Sequence, residues 1–239
     1  MTPERARLAI GVLDLTDLTD DATEDGARQL CDRAAAAGVA AVCVWPRFVP
    51  TCVIRLSGTG TRVATVVNFP SGAETVEDVV SMAADARGAG AHEIDVVLPY
   101  TALLAGDDAH AAAVLERVRE TTGDGLVKVI IESGELPDQA AVRTAAAFAV
   151  EHGADFVKTS TGKTATSATL EAAGTILGVI AGVDRRVGFK ASGGIRTAAD
   201  AAAYLDLAGQ VMGEGWISPA RFRFGASALL DALEAITEA

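Results

Sequence analysis

The sequence is poor in the residues that build metal centres and disulfide frameworks. Its three cysteines, Cys31, Cys43 and Cys52, are odd in number and match no metal-ligand spacing, and its three histidines have no cysteine or carboxylate at such a spacing. No apolar signal segment opens the chain, and no apolar run approaches the ~18 residues that a membrane-spanning helix needs. We therefore expect reduced thiols, no metal ion and a cytoplasmic protein.

Positive charge and aromatic side chains are also scarce. The 20 Lys and Arg residues are outnumbered by 32 Asp and Glu residues, and the net charge of −12 argues against nucleic acid or an anionic membrane as a partner. An anionic substrate must then be attracted locally, by a few basic groups and backbone amides. Only 5% of the residues are aromatic although 50% are hydrophobic, so the core must consist mainly of Ala, Val, Leu and Ile.

Short apolar runs alternate with longer amphipathic segments along the chain. The runs predicted as strands are Leu8–Leu13, Ala40–Trp45, Val63–Asn68, Glu93–Leu98, Val127–Glu132, Phe156–Thr159, Val187–Lys190 and Phe222–Phe224. The segments predicted as helices are Thr23–Ala37, Phe48–Ser57, Thr75–Ala89, Ala109–Thr121, Asp138–His152, Leu170–Ala181 and Ala198–Ala208. Eight such units in 239 residues favour an α/β fold, a closed (β/α)8 TIM barrel forming a single domain over residues 1–239.

Four of these strands carry a charged residue among apolar neighbours. The charged residues are Asp95, Lys128, Lys158 and Lys190. Because side chains alternate between the two faces of a strand, and the apolar neighbours would face the helices, we expect the four charges to point into the barrel. Neighbouring strands lie about 4.8 Å apart, so these groups would share one small cavity.

Lys158 is the most informative member of this set. Burial and the like charge of Lys190 would both lower the pKa of Lys158, while Asp95 would compensate part of the positive charge and carry protons. A neutral amine is a nucleophile that forms Schiff bases with carbonyl compounds. Two other interpretations stay open: Lys158 lies at an exposed strand end, or the cluster is a buried salt-bridge network that only fills the barrel.

Glycine-rich loops after the last strands predict a phosphate site. Gly193 and Gly194 follow the seventh strand, and Gly225 and Ser227 follow the eighth, just before a helix. Glycines let backbone N–H groups approach an anion closely, and barrels commonly bind phosphate after strands seven and eight. The loop 161–163 after the sixth strand would close the same site. The alternative is that the Gly-Gly pair only forms a tight turn.

Seven motifs together resemble the class I 2-deoxyribose-5-phosphate aldolases over nearly the whole chain. In chain order they are Asp14-Leu15-Thr16, Asn68-Phe69-Pro70, Glu93–Val97, Lys128–Glu132, Lys158–Lys163, Gly188–Lys190 with Gly193-Gly194, and Arg223–Ser227. The resemblance implies a TIM barrel that reversibly cleaves 2-deoxy-D-ribose 5-phosphate to acetaldehyde and D-glyceraldehyde 3-phosphate in deoxynucleoside catabolism. It also implies that the reaction needs no metal and no organic cofactor.

The same resemblance implies a role for each matching residue. Lys158 would form the Schiff base, Lys190 would adjust the pKa of Lys158, and Asp95 would belong to a proton relay with water. Asp14 and Lys128 would hold the polar interior in place. The residues expected to bind the phosphate end of the substrate are Thr161, Gly162, Lys163, Gly193, Gly194, Gly225 and Ser227.

Two positions depart from the family pattern. Ala191 stands where many members have proline, and this replacement loosens a turn. Ala228 stands where a second small hydroxyl residue often follows Ser227, so one expected phosphate contact is missing. Three other functions stay open: an aldolase for another phosphorylated aldol, an isomerase or lyase that forms no imine, and a non-catalytic phosphosugar-binding barrel. Barrels of this size often pair, so a homodimer is a further expectation.

Overall fold

Eight parallel strands close into a barrel in the computed structural model, which describes residues 1–183 and 186–238. The strands pair in chain order and the eighth pairs with the first. They are β1 Leu13–Asp17, β2 Ala41–Val44, β3 Arg62–Val67, β4 Glu93–Val97, β5 Leu126–Ile130, β6 Phe156–Lys158, β7 Gly188–Ser192 and β8 Phe222–Ala226. The predicted (β/α)8 TIM barrel is confirmed. Asp184, Arg185 and Ala239, which the predicted domain included, lie outside the described residues.

Helices cover the outside of the barrel. They are α1 Pro3–Gly11, α2 Glu24–Ala37, α3 Val49–Arg55, α4 Val76–Gly88, α5 Tyr100–Leu104, α6 Asp108–Thr122, α7 Gln139–Glu151, α8 Leu170–Ala181, α9 Ala198–Met212 and α10 Leu229–Thr237. Seven of them begin at a side-chain oxygen that accepts a hydrogen bond from the backbone N–H three residues on, which fixes where each helix starts. These caps are Thr2, Thr23, Thr75, Asp107, Asp138, Thr169 and Thr197.

The predicted first strand, Leu8–Leu13, is wrong. Most of that run belongs to helix α1, and β1 begins only at Leu13. Thr2 caps the helix and Pro3 occupies its first position, where proline is well tolerated. The buried residues of α1 recur at helical spacing, at positions 6, 9 and 10. The short apolar run at positions 8–10 is therefore one face of a helix whose start signal lies upstream.

The other predicted elements agree well with the structure. Strands β2 to β8 differ from the predicted runs by at most two residues at either end. Helix α9 continues four residues beyond the predicted Ala208, and the short helix α5 was not predicted. None of the helices within residues 1–183 and 186–238 combines the length and the apolarity that crossing a bilayer requires.

One glycine in the barrel wall is required by close packing. A Cβ atom at Gly188 on β7 would lie 2.3 Å from Cε1 of Phe156, whose buried ring belongs to the neighbouring strand β6. An atom cannot be placed there unless the ring or the backbone moves. The missing side chain at position 188 thus makes room for the aromatic ring.

We expect Gly188→Ala to lower the free energy of unfolding by about 1–3 kcal/mol, the usual cost of forcing extra atoms into a packed core. The matched control is Gly178→Ala in the exposed middle of α8, where a Cβ would meet nothing within 4 Å. That change should raise stability by about 0.5–1 kcal/mol. Urea titration measures both values, and an unchanged Gly188→Ala midpoint would contradict the packing argument.

Candidate active site

The barrel interior brings Lys158 and Lys190 onto one carboxylate. The strand register places Lys158 on β6 directly beside Lys190 on β7. Each ammonium nitrogen donates to Oδ2 of Asp95 at 2.8 Å, so the two nitrogens lie within 5.6 Å of each other, twice that length. All three side chains are buried. The interpretation that Lys158 lies at an exposed strand end is therefore wrong.

The two lysines differ in their affinity for a proton. Burial lowers the pKa of Lys158 below its ordinary value; Asp95 opposes this, and the positive charge of Lys190 adds to it. Burial acts on Lys190 as well, but the carboxylates of Asp14 and Asp95 outweigh it and raise the pKa of Lys190. Lys158 thus holds its proton less tightly than Lys190 does.

Asp95 is the common acceptor of three ammonium groups. Its Oδ1 accepts from Lys128 at 2.8 Å, while Oδ2 accepts from Lys158 and Lys190. Burial opposes ionisation, yet these three cations lower the pKa of Asp95 well below its ordinary value. The carboxylate therefore stays charged and fixes the direction of the amine of Lys158.

A second layer of charges lies towards the amino ends of the strands. Arg223 pairs with Asp14 and, at 3.1 Å, with Glu93. Lys128 contacts Glu93 at 2.6 Å and Lys190 contacts Asp14 at 2.6 Å. We call these seven buried side chains, joined by ion pairs, the charge network: Asp14, Glu93, Asp95, Lys128, Lys158, Lys190 and Arg223.

Glu93 and Arg223 were absent from the predicted site, although the sequence contains a signal for both. Glu93 precedes Asp95 by two positions on β4, and side chains two positions apart in a strand share a face. Arg223 stands between Phe222 and Phe224 on β8, and both of these side chains point outward into the apolar core that surrounds the barrel. Strict alternation applied to every strand would have placed both charges inside the barrel.

The predicted phosphate residues line one polar cavity of about 250 Å³ at the carboxyl ends of β1, β6, β7 and β8. Its walls include all seven of them: Thr161, Gly162, Lys163, Gly193, Gly194, Gly225 and Ser227. Gly193 has a φ of +90°, and a Cβ there would lie 2.7 Å from Ser167. The Gly-Gly pair is thus both a left-handed turn and part of the cavity wall, and a side chain at Gly193 would clash with Ser167.

Several of these residues have contacts that the sequence did not indicate. Nζ of Lys163 lies 3.2 Å from Asp20 and 5.9 Å from the ring centre of Trp45. These contacts connect the loop after β6 with the loops after β1 and β2. Gly225 leaves space for Lys190, because a Cβ there would lie 2.9 Å from its Cε. No side chain caps the amino terminus of α10, where Ala228 follows Ser227. The first backbone N–H groups of α10, which follow the cavity residue Ser227, therefore donate to no capping side chain.

Two further buried residues surround Lys158. Glu132 adopts a left-handed φ of +49° and accepts hydrogen bonds from the N–H and hydroxyl of Thr161, which orders the start of the loop after β6. Burial raises the pKa of Glu132, and the hydrogen bonds from Thr161 oppose that shift. Cys43 packs with Ala64 and Val66 inside the barrel, and burial followed by the charge of Asp95 raises its pKa.

Comparison with known proteins gives consistent matches over almost the full chain. Residues 8–235 match the model of the DeoC/LacD family aldolase. Deoxyribose-phosphate aldolase of Agrobacterium fabrum (strain C58 / ATCC 33970) is 47% identical over 232 residues, which are 95% of this chain and 90% of that protein. A candidate deoxyribose-phosphate aldolase from Coccidioides immitis superimposes with a TM-score of 0.87 at 30% identity, covering 98% of this chain and 87% of its own. The tetrameric deoxyribose phosphate aldolase from Aeropyrum pernix gives 0.80 at 25% identity, covering 97% and 91%.

Removing the cationic neighbour should make Lys158 a weaker acid. In Lys190→Met the like charge is lost and Asp95 is left to Lys158 and Lys128, so we expect the pKa of Lys158 to rise by at least about one unit. Reductive methylation with formaldehyde, followed across pH by peptide mass spectrometry, measures this midpoint. Lys163→Met at the cavity mouth is the control and should leave it in place. An unmoved midpoint in Lys190→Met would refute the assigned role of Lys190.

Proposed function

The chain belongs to the DeoC/LacD family of aldolases, and we propose that it cleaves 2-deoxy-D-ribose 5-phosphate reversibly to D-glyceraldehyde 3-phosphate and acetaldehyde through an imine on Lys158. The single observation that supports this most strongly is the buried contact of Lys158 and Lys190 with one oxygen of Asp95. This arrangement lets one amine lose its proton beside a second amine that keeps its own.

The reaction follows from that arrangement. The free amine of Lys158 attacks the C1 aldehyde of the open-chain sugar to give a carbinolamine, which loses water to form a protonated imine. This cation accepts the electron pair of the C2–C3 bond once a base removes the proton of the C3 hydroxyl. Glyceraldehyde 3-phosphate leaves and an enamine remains. Protonation at C2 and hydrolysis then release acetaldehyde and return the amine.

Lys190 would donate a proton in these steps, and Asp95 would hold the proton relay of lysines and water in place. Lys190 keeps its proton in the resting site because Asp14 and Asp95 stabilise the ammonium, so it can donate when the carbinolamine hydroxyl leaves as water. Asp95 remains ionised and balances the positive charge of the imine. Water would complete the relay between these groups and the carbon atoms of the substrate.

The cavity at the carboxyl ends of β1, β6, β7 and β8 would hold the phosphate of the substrate. Gly193 and Gly194 have positive φ values of 90° and 82°, which exposes backbone N–H groups without a side chain in the way. The amino terminus of α10 adds its partial positive charge next to Ser227. Ala228 offers no hydroxyl, so backbone donors would carry more of the binding at this end.

The enzyme is a lyase with a phosphorylated sugar as its substrate. The homodimer, the cytoplasmic location and the independence from metals and organic cofactors stay predictions from the sequence. The relative from Aeropyrum pernix is described as a tetramer.

Trapping with borohydride tests the identity of the nucleophile. Acetaldehyde and borohydride should leave an N-ethyl group on Lys158, one of only four lysines in the chain. Peptide mass spectrometry locates the adduct, and Lys158→Arg should give none and should release no acetaldehyde from 2-deoxyribose 5-phosphate. An adduct confined to another lysine, or full activity without Lys158, would refute the assignment.

Substrate comparison tests the phosphate cavity. In Gly193→Ala the new Cβ would clash with Ser167 and would strain the backbone, so the turn should shift away from the phosphate. We expect KM for 2-deoxyribose 5-phosphate to rise at least about tenfold, which corresponds to the loss of one charge-assisted hydrogen bond. Activity on unphosphorylated 2-deoxyribose should change little. The control is Gly106→Ala, a similar positive-φ glycine where a Cβ meets nothing within 4 Å. Equal losses on both sugars would argue against a phosphate contact.

A further inference from the structure

The charge network crosses the barrel from the reacting amine to the opposite end. Lys158 bonds Asp95, Asp95 bonds Lys128, Lys128 bonds Glu93 and Glu93 bonds Arg223, each within 3.1 Å. Since every link is an ion pair between buried groups, a change of charge at one end is felt along the whole path.

Glu93 and Arg223 lie outside the cavity that the predicted phosphate residues line. Neither lines it; both instead border a different cavity of about 440 Å³ at the amino ends of the strands. Arg223 donates to the backbone oxygen of Pro219, and its guanidinium carbon lies 5.6 Å from the ring centre of Phe156. Both charged side chains are still at least 96% buried, since their exposed fractions are 1% and 4%. They can influence the reaction through their charges and through their ion pairs with the rest of the network.

The total charge of the network depends on whether Lys158 carries its proton. It contains three carboxylates and four basic groups, so its total charge is +1 when Lys158 is an ammonium and zero when Lys158 is an amine. An uncompensated charge in a buried site is costly. Lys158 is the basic group with the weakest hold on its proton, because it has one carboxylate partner, and it shares that oxygen with Lys190.

We propose that Glu93 and Arg223 are positioning residues of the reaction, which set the charge total of the network so that it is neutral when Lys158 is a free amine. This inference rests on the proposed function of Lys158 as the nucleophile. It assigns a part in the reaction to two residues that touch neither the substrate nor the reacting atoms.

Titratable groups inside and outside the network face each of its two ends. Those around Lys158 are Asp95, Lys190, Cys43 and Glu132. Those around Glu93 and Arg223 are Asp14, Lys128, Arg62 and His92. Glu132 forms no ion pair with a described residue and accepts hydrogen bonds from Thr161, and His92 accepts one from the N–H of Val63. Cys43, Glu132, Arg62 and His92 lie outside the network and are unchanged in the variants below, so their effects on Lys158 cancel in the comparison.

Removing one charge at the far end should move the titration of Lys158 in a direction set by the sign of that charge. Arg223→Met leaves the network neutral with Lys158 protonated, so the midpoint for amine formation should rise. Glu93→Gln leaves a surplus positive charge, so the midpoint should fall. Arg223 is two strands away from Lys158, or about 10 Å, and a unit charge at that distance shifts a titration by roughly one pH unit.

The experiment measures reductive ethylation of Lys158 by acetaldehyde and cyanoborohydride across pH, together with the pH profile of kcat/KM. Wild type is compared with Glu93→Gln, Arg223→Met, the double variant and Arg223→Lys, each checked for native circular dichroism. Expected are opposite shifts in the two single variants, a return towards the wild-type midpoint in the double variant, and no shift in Arg223→Lys. A merely structural role would lower the rate at every pH without these opposite shifts.

The outcomes separate this inference from the proposed function. If wild type forms no adduct on Lys158, the proposed function fails. If wild type is ethylated on Lys158 but the single variants keep its midpoint or shift in the same direction, only the role of Glu93 and Arg223 is overturned. Glu93→Gln has nearly the native shape and decides the question by itself if Arg223→Met does not fold.

Discussion

The sharing of one buried carboxylate by three lysines is the constraint on which the rest of the interior depends. Asp95 can hold Lys128, Lys158 and Lys190 only because the parallel register brings β4, β5, β6 and β7 side by side. Removing the carboxylate would leave three like charges together, which a buried site does not tolerate. The closed barrel therefore supports this cluster and buries Lys158 beside a second cation, and both effects lower the pKa of Lys158.

Missing side chains are as important to the site as the charged ones. Large side chains fill the barrel only where neighbouring positions give up volume, as Gly225 does for Lys190 and Gly188 does for Phe156. Gly193 and Gly194 lie in the cavity wall with positive φ values of 90° and 82°, a conformation that favours glycine. The same residue type thus makes room for side chains inside the barrel and permits left-handed turns at its end.

The sequence predicts the architecture well because the alternation of apolar runs with amphipathic segments is a local signal. It placed seven of the eight strands and gathered Asp95, Lys158 and Lys190 correctly, since a charge between apolar neighbours has one sensible direction. It failed at Leu8–Leu13, where a three-residue apolar run fits a helix as well as a strand. It also missed Glu93 and Arg223: alternation on each strand predicts that both side chains point into the barrel, but their pairing with each other follows only from the closure of the barrel.

The distribution of amines has a consequence for handling the protein. Lys163 has 31% of its side chain exposed, whereas the other three lysines are at most 2% exposed, so the surface carries its positive charge on arginines. An aldehyde-activated or ester-activated resin would therefore couple through the amino terminus or through Lys163, and the latter would place the matrix against the mouth of the sugar cavity. Immobilisation through the plentiful surface carboxylates would instead leave that entrance free for substrate.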